Sequence, residues 1–324
     1  MKAAVINEYG DEGVLTYQDV PDPGIGPDEV LIRVRAASIN RGDFGRRAGF
    51  FQAGQTPLVI GWDIAGDIEA TGPNVTGFRT GQRVVAQVMG GGYAELAAAP
   101  ANAVVALPEG ISYEAAASLP VAWLTAWIAI LDTAALKPGE TALIQSVSSG
   151  VGMAGVQIAK HVGGAGLVFT TAGTDEKCKR GLELGADHAI NYSTHDFLAE
   201  VMAQTNGRGV DVALDMIGGE TFKKTQQALA ESGRLVSVGR AGGQGPEVDE
   251  ALAKAKEQTV TTSWLVFTIK PREELSADLA KIMDAIVANK LNPVIDRVFP
   301  LSEAAEAHRY IGGRNQFGKV LLRP

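Results

Sequence analysis

Three glycines carry the clearest chemistry in the chain. Gly150-Val151-Gly152-Met153-Ala154-Gly155 sets them at the G-x-G-x-x-G spacing that cradles a pyrophosphate. Gly150 can take a tight turn with positive φ. Gly152 has no side chain, so a diphosphate can approach the backbone there, and Gly155 lets a following helix pack close to its strand. That helix offers unpaired N–H groups and the positive end of its dipole to the phosphates. With 39 glycines in 324 residues the spacing also arises by chance, so the context decides. Ala142, Leu143, Ile144 and Val147 read as a strand before the motif, and Val156, Ile158, Ala159 and Val162 recur behind it at helical spacing. Gly163, Gly164 and Gly166 end that helix, and residues 167–171 read as a second strand. Strand, glycine turn, helix and strand are what a dinucleotide site requires.

A second concentration of polar groups lies at residues 38–49, SINRGDFGRRAG, after a strong strand at 30–37 with outward arginines. It reads as a polar turn, a natural position for function. The four histidines, His161, His188, His195 and His308, show no ligand spacing and read as surface or satisfied structural groups. Cys178 is the one cysteine, which excludes an intramolecular disulfide and a thiolate-rich zinc site. It reads as a structural thiol on a helix, since no partner base is visible.

The elements that must position these groups fall into two textures. Residues 1–110 are short strands punctuated by glycine and proline, a barrel-like all-β pattern. After Pro108 an alanine- and tryptophan-rich helical stretch at 112–136 leads into regular alternation. Strands are predicted at 188–192, 210–215 and 234–239, with a sixth at 260–269, and helices at 175–184, 196–204 and 221–230. Such alternation implies a parallel, doubly wound sheet. An amphipathic helix at 277–289 follows. Strands at 294–299 and 318–322, separated by a helix at 302–311, are expected to return to the first domain.

The bulk numbers fit one large or two medium domains of a soluble protein: 33.9 kDa and 46% hydrophobic residues. A net charge of −8 and a pI near 5.2, with no basic run, argue against nucleic acid. The first ten residues do not read as a signal peptide. The most membrane-like stretch, 115–131, contains Pro120 and is shorter than the ~20 residues a span needs. A buried helix, no membrane association and a cytoplasmic location are expected.

Taken together, the chain resembles the medium-chain dehydrogenase/reductase superfamily, and within it the zinc-independent quinone oxidoreductase, or zeta-crystallin-like, branch. Residues carrying the likeness include Ala37-Ser38-Ile39-Asn40-Arg41-Gly42-Asp43, Gly61-Trp62-Asp63-Ile64-Ala65-Gly66, Gly81-Gln82-Arg83-Val84 and Leu124-Thr125-Ala126-Trp127. Ser149-Gly150-Val151-Gly152, Leu184-Gly185-Ala186-Asp187, Gly233-Arg234-Leu235-Val236 and Gly318-Lys319-Val320-Leu321 continue it along the chain. The resemblance implies an α/β protein: a GroES-like β-barrel domain over 1–122 and 290–324, and a Rossmann domain binding NADPH over 123–289. It also implies a homodimer through residues 263–267.

The zinc enzymes of this superfamily place metal ligands at motif positions occupied here by Asn40, Trp62 and about Val121, none of them a usable zinc ligand. A metal-free hydride transfer to an electron-poor acceptor is therefore expected. For the cofactor, the tip of the second strand carries no acid for a ribose 2′-OH; Thr170 to Thr174 are small and neutral, and Lys177 follows. The resemblance assigns Gly173, Thr174, Lys177 and Tyr192 to a 2′-phosphate, which favours NADPH over NADH. It adds Thr125, Val151, Ile217, Val238, Gly239, Phe267 and Asn315 as further cofactor contacts.

Catalytic residues are carried by the same resemblance. Asn40 is expected to orient the nicotinamide or to hydrogen-bond the substrate oxygen. Asp43 in the same loop is a second candidate, with a structural ion pair as its alternative. Arg46, Phe50, Trp62 and Tyr93 are expected at the substrate pocket. Trp62 either stacks on a flat substrate or fills the place of the metal, and Tyr93 is either a proton donor or packing. Phe50 and Phe51 stand where many relatives have a tyrosine, and water can supply the final proton. The expected activity is an NADPH-dependent quinone reductase. The alternatives are reduction of α,β-unsaturated carbonyls or enoyl thioesters, and a non-catalytic NADPH-binding protein.

Overall fold

The computed structural model describes residues 1–50, 55–88, 90–263 and 270–324. The chain forms two compact units. The first comprises Met1–Ala122, Lys270–Val287 and Pro293–Pro324; the second comprises Trp123–Ile269 and Ala288–Asn292.

In the first unit, β1 (Lys2–Ile6) pairs antiparallel with β2 (Leu15–Asp19) as a hairpin, and with β4 (Leu58–Val59) on its other side. A larger sheet is built around β3 (Glu29–Ser38) and β5 (Asp63–Thr71), with β6 (Arg83–Gln87), β7 (Leu96–Pro100) and β8 (Val104–Ala106). Val30, Ile32 and Val34 of β3 alternate inward. Arg33 and Arg35 point out and pair across to Glu69 (2.8 Å) and Asp67 (2.7 Å) of β5. That alternation gives one apolar face and one charged face.

The stretch expected as a polar turn contains a helix instead, α1 (Arg41–Arg47). Gly42 and Gly45 lower its propensity. It is held by its ends: Asp43 accepts the Asn40 N–H at 2.8 Å, the return half of a capping box. Asp43 and Arg47 are drawn into the interior. The 112–136 stretch also divides. Ser112 caps α2 (Tyr113–Ala117), and Pro120, at the first position of α3 (Pro120–Trp127), starts a new helix.

The second unit is a six-stranded parallel sheet: β9 (Thr141–Ile144), β10 (Leu167–Ala172), β11 (His188–Asn191), β12 (Val210–Asp215), β13 (Leu229–Ser237) and β14 (Thr259–Thr262). Their spatial order is β11-β10-β9-β12-β13-β14, every pairing being parallel. Renumbered from its first strand this is 3-2-1-4-5-6, the doubly wound dinucleotide order, whose switch point falls between β9 and β12. The connecting helices are α4 (Gly150–Gln157), α5 (Asp175–Glu183), α6 (Phe197–Gln204), α7 (Gly219–Gln227) and α8 (Glu250–Ala255). Cys178 is buried on α5, and burial raises its thiol pKa, in keeping with a structural role. Residues 264–269, which hold most of the expected sixth strand and dimer contact, lie outside the described residues.

α9 (Arg272–Val287), within the 123–289 span that the resemblance assigned to the dinucleotide domain, clusters with the first unit. Asn102 Nδ2 donates to Glu273 at 2.9 Å, and Ser276 Oγ donates to the Asn102 carbonyl at 2.8 Å. β15 (Ile295–Pro300), α10 (Ala304–Gly312) and β16 (Lys319–Arg323) complete the first unit, with β16 antiparallel to β3 at Leu321–Ser38 and Leu322–Ala37.

Candidate active site

In the first unit the chemistry gathers where β3 hands over to α1. Asn40 occupies the N-cap position of α1, and its side chain is engaged from two other elements. Its Oδ1 accepts from Lys319 Nζ at 2.6 Å, and its Nδ2 donates to Asp63 Oδ2 at 2.8 Å. Lys319 also donates to the Ile39 carbonyl at 2.9 Å, and the Val121 N–H reaches both Asp63 oxygens at 3.2 Å. An ammonium can only donate and a carboxylate can only accept, so the two partners fix which end of the Asn40 amide is oxygen. Asn40 and Val121 thus meet on the Asp63 carboxylate. Trp62, beside Asp63 in sequence, is 5% exposed, and its ring lies against Gly42 of α1. Among the described residues no three His, Cys, Asp or Glu side chains come together as a metal site.

A second buried chain of hydrogen bonds runs behind the first. Arg47 Nη1 donates to His308 Nδ1 at 3.0 Å; a guanidinium accepts nothing, so this nitrogen carries no proton. Nε2 of the neutral imidazole then holds the proton and donates to the Tyr93 hydroxyl at 3.1 Å, and that hydroxyl donates to Asp43 Oδ2 at 3.0 Å. Phe44 stacks on the imidazole with ring centroids 4.6 Å apart. Burial governs the electrostatics. It lifts Asp43 to about 6, against the hydrogen bonds from Asn40 and Tyr93. It lifts Asp63 to about 7, with Lys319 and Asn40 opposing. It raises the Tyr93 phenol well above its usual range and lowers the Lys319 ammonium. Burial and the Arg47 charge push His308 down to about 3.

The His308 shift carries a stability prediction. With a folded pKa below the unfolded value of about 6.5, His308 costs nothing above that pH. As pH falls from 6.5 towards 3 the unfolded chain takes up a proton the folded chain refuses. Stability then drops by about 1.4 kcal/mol per pH unit from this group. His308→Gln has an acceptor for Arg47 and a donor for Tyr93 and does not titrate. Its melting temperature, scanned from pH 7 to pH 4, is expected to fall less steeply than that of the wild type; parallel slopes would contradict this.

Tyr93, expected at the substrate pocket, is fully buried and its hydroxyl is taken by Asp43 and His308. Asp43, expected as catalytic or as a structural ion-pair partner, is also fully buried and accepts from the Asn40 N–H and the Tyr93 hydroxyl. Of the other predicted residues, Phe50 is 70% exposed and Arg46 is half-buried beside Gly90. Asn315 lies exposed in the turn between α10 and β16. Phe267 lies outside the described residues.

The residues missed were Lys319, Asp63 and His308. A lysine inside the apolar run Phe317-Gly318-Lys319-Val320-Leu321-Leu322 is a usable signal, because a lysine facing a core must be paired. Asp63 between Trp62 and Ile64 carries the same signal. His308 gives none in sequence.

In the second unit the glycine loop is pinned from within. Ser149 caps α4: its Oγ accepts from Gly152 N at 3.0 Å and donates to the Ser146 carbonyl at 2.9 Å. Ser146 takes φ +57°, a conformation that costs a non-glycine residue roughly 1 kcal/mol. Gln145, 1% exposed, accepts from Thr171 Oγ1 at 2.5 Å and donates to Thr225 Oγ1 at 2.8 Å, tying the ends of β9 and β10 to α7. A methyl on Gly152 would sit 2.1 Å from the Ser146 carbonyl oxygen. Gly150 and Val151 open α4 beside it, half-buried, and Thr125 is buried on α3.

At the tip of β10, Tyr192 is 50% exposed and its hydroxyl lies 2.7 Å from where a methyl on Gly173 would be. Thr174 caps α5 by accepting from Lys177 N at 3.3 Å. The nearest acid, Asp175, is engaged by Asn191 Nδ2 at 2.7 Å. At the end of β12, Asp215 accepts from Gly218 N (2.9 Å) and shapes the turn through Ile217; burial raises its pKa to about 6. Val238 and Gly239 follow β13 on the same carboxyl edge, the Val238 N–H bonding the Asp215 carbonyl at 2.8 Å. Asp215 Oδ1 is buried with no hydrogen-bond partner among the described residues. A tight loop that only a backbone can line, a bare strand tip and an unsatisfied buried oxygen on the ligand-binding edge fit a dinucleotide.

Comparison with known proteins agrees with this geometry. Residues 26–109 match the family model described as alcohol dehydrogenase GroES-like domain, and residues 184–322 match that described as zinc-binding dehydrogenase. A 2-haloacrylate reductase from Burkholderia is 33% identical over 99% of this chain and 98% of its own length. Human quinone oxidoreductase is 32% identical over 99% and 97% respectively. The crystal structure of Escherichia coli quinone oxidoreductase complexed with NADPH superimposes with a TM-score of 0.94, at 28% identity and with 100% of both chains covered. The chain belongs to the medium-chain dehydrogenase/reductase superfamily, in its quinone oxidoreductase-like branch. Its GroES-like and Rossmann architecture is that of the branch, and no helix among the described residues is long and apolar enough to cross a membrane.

Proposed function

We propose that the protein is an NADPH-dependent reductase that transfers hydride to a quinone or similarly electron-poor acceptor without a metal ion. The observation that carries the cofactor choice is the tip of β10. Gly173 and Thr174 are neutral and small, Tyr192 covers Gly173, Lys177 lies in the first turn of α5, and Asp175 is withdrawn onto Asn191. An NAD site needs a free acid there for the ribose 2′-OH, whereas a cation and a phenol suit a 2′-phosphate. The relatives named quinone oxidoreductase, and the one complexed with NADPH, support the same reading.

Gly150, Val151 and Gly152 would hold the pyrophosphate, with Gly173, Thr174, Lys177 and Tyr192 on the 2′-phosphate. The turns at Ile217 and at Val238–Gly239 would line the rest of the nucleotide. Bound there, reduced nicotinamide supplies a hydride. The chain would supply orientation and a donor: Asn40 has one amide N–H beyond the one given to Asp63, which would bond the acceptor oxygen as it gains charge. Charge arriving on a quinone is delocalised, so one neutral donor suffices where an isolated carbonyl would need a Lewis acid. Water delivers the final proton.

One comparison favours a second acceptor class. The 2-haloacrylate reductase is as similar to this chain as the quinone oxidoreductases, and its name describes reduction of an activated carbon–carbon double bond. Both are conjugated acceptors, and assays with a quinone and an enone separate them. The cofactor assignment is tested with Lys177→Ala. Its Kd for NADPH is expected to rise about tenfold, about 1.4 kcal/mol, with that for NADH nearly unchanged. Equal weakening of both, or of neither, would remove Lys177 from the phosphate site.

A further inference from the structure

Lys319 carries a feature that packing does not explain. It sits on β16, 4% exposed, in a unit that offers it two buried carboxylates, and yet its two hydrogen bonds go to neither. Both go to the Asn40 segment: one to the Ile39 carbonyl at 2.9 Å, the other to Asn40 Oδ1 at 2.6 Å. Asp63 takes the opposite end of the same amide at 2.8 Å and is itself held by the Val121 N–H at 3.2 Å. The arrangement is a clamp. A donor-only group holds the oxygen, an acceptor-only group holds the nitrogen, and the amide cannot rotate by 180° without setting N–H against ammonium and oxygen against carboxylate. Burying a lysine is costly unless it is paired and hydrogen-bonded. Here the pairing is arranged so that the charge acts through a neutral amide.

We propose that Lys319 is a positioning residue: with Asp63 it locks the Asn40 amide in one orientation, leaving a single N–H of fixed direction as the donor to the acceptor oxygen. This rests on the proposed reductase reading, in which Asn40 is that donor. The clamp polarises the amide as well. Drawing electron density towards Oδ1 makes the remaining N–H a better donor, as in other hydrogen-bonded chains in a low-dielectric interior.

The experiment is a double-mutant cycle on the full chain with Lys319→Met and Asn40→Ala, read as kcat and KM for a quinone with NADPH, alongside the exchange of the Asn40 side-chain amide protons by NMR. Lys319→Met alone is expected to lower kcat about 30-fold with KM for NADPH within about threefold. Added to Asn40→Ala it is expected to lower kcat no further, because its effect passes through that amide. Independent, multiplying losses would overturn the proposal. In the wild type the Asn40 amide protons should exchange slowly, and at least about tenfold faster in Lys319→Met; equal exchange would also overturn it. If Lys319→Met does not fold, Lys319→Gln, which keeps a donor without the charge, enters the same cycle, with an intermediate kcat expected and a wild-type kcat contradicting the proposal. If the wild type reduces no acceptor, the reductase reading fails by itself, and the amide exchange still decides whether the clamp exists.

Discussion

Gly152→Ala is expected to abolish useful NADPH binding. An added methyl would lie 2.1 Å from the Ser146 carbonyl oxygen, 2.6 Å from its carbon and 2.7 Å from the Gln145 carbonyl oxygen. All three are backbone atoms, so no side chain can swing aside. They belong to a loop already held at φ +57° on Ser146 and fixed by the Ser149 cap and the Thr171–Gln145–Thr225 bonds. The loop must move, and its N–H groups then miss the phosphates. Calorimetry should show the NADPH Kd raised at least about 100-fold, about 2.7 kcal/mol. Stability should fall, as for an overpacked interior site, by about 1–3 kcal/mol. Gly312→Ala meets nothing within 4 Å and has no positive φ, so it should leave binding unchanged. Unaltered affinity in Gly152→Ala would mean that the diphosphate does not lie on this loop.

Asn40→Ala is the second large effect. Truncation removes the proposed donor and leaves Lys319 and Asp63 without the amide between them. Loss of one preorganised donor to a developing oxyanion costs roughly 10²–10³ in kcat, about 2.7–4 kcal/mol. The same fall is expected here, with the NADPH Kd within about threefold. Asn40→Asp should be no better and less stable, because it sets a third carboxylate against Asp63 and Asp43, whose pKa values burial has already raised to about 7 and about 6. A kcat within threefold of wild type in Asn40→Ala would contradict the donor role.

What could be read from the sequence was whatever is encoded by neighbours. The glycine motif, the strand before it and the helix after it lie within one short segment, and the doubly wound order follows from the alternation. The helical stretch expected from 112 starts where Ser112 caps it, through a bond only three residues away. α1 was not legible: two glycines hide it, and the residues that hold it are engaged at a distance, Asp43 by Tyr93 and Arg47 by His308. The clamp was illegible for the same reason. Lys319 and Asn40 are 279 positions apart, and only the antiparallel return of β16 beside β3 brings them together. Asn40 itself was found through family resemblance, whereas its state, held at both ends rather than free to turn, is visible only in the fold. Tyr93 shows the limit from the other side. Its sequence context leaves proton donor and packing both open, and only the fold shows it fully buried against Asp43 and His308.

The most direct test is oxidation of NADPH and of NADH by the purified chain with a simple quinone and with a conjugated enone, EDTA being present throughout. Rapid turnover with NADPH, poor turnover with NADH and rates indifferent to the chelator are expected, with the better acceptor deciding between quinone and enone chemistry. Loss of activity with EDTA would contradict a metal-free reductase, and equal use of NADH would contradict the phosphate site at Lys177 and Tyr192.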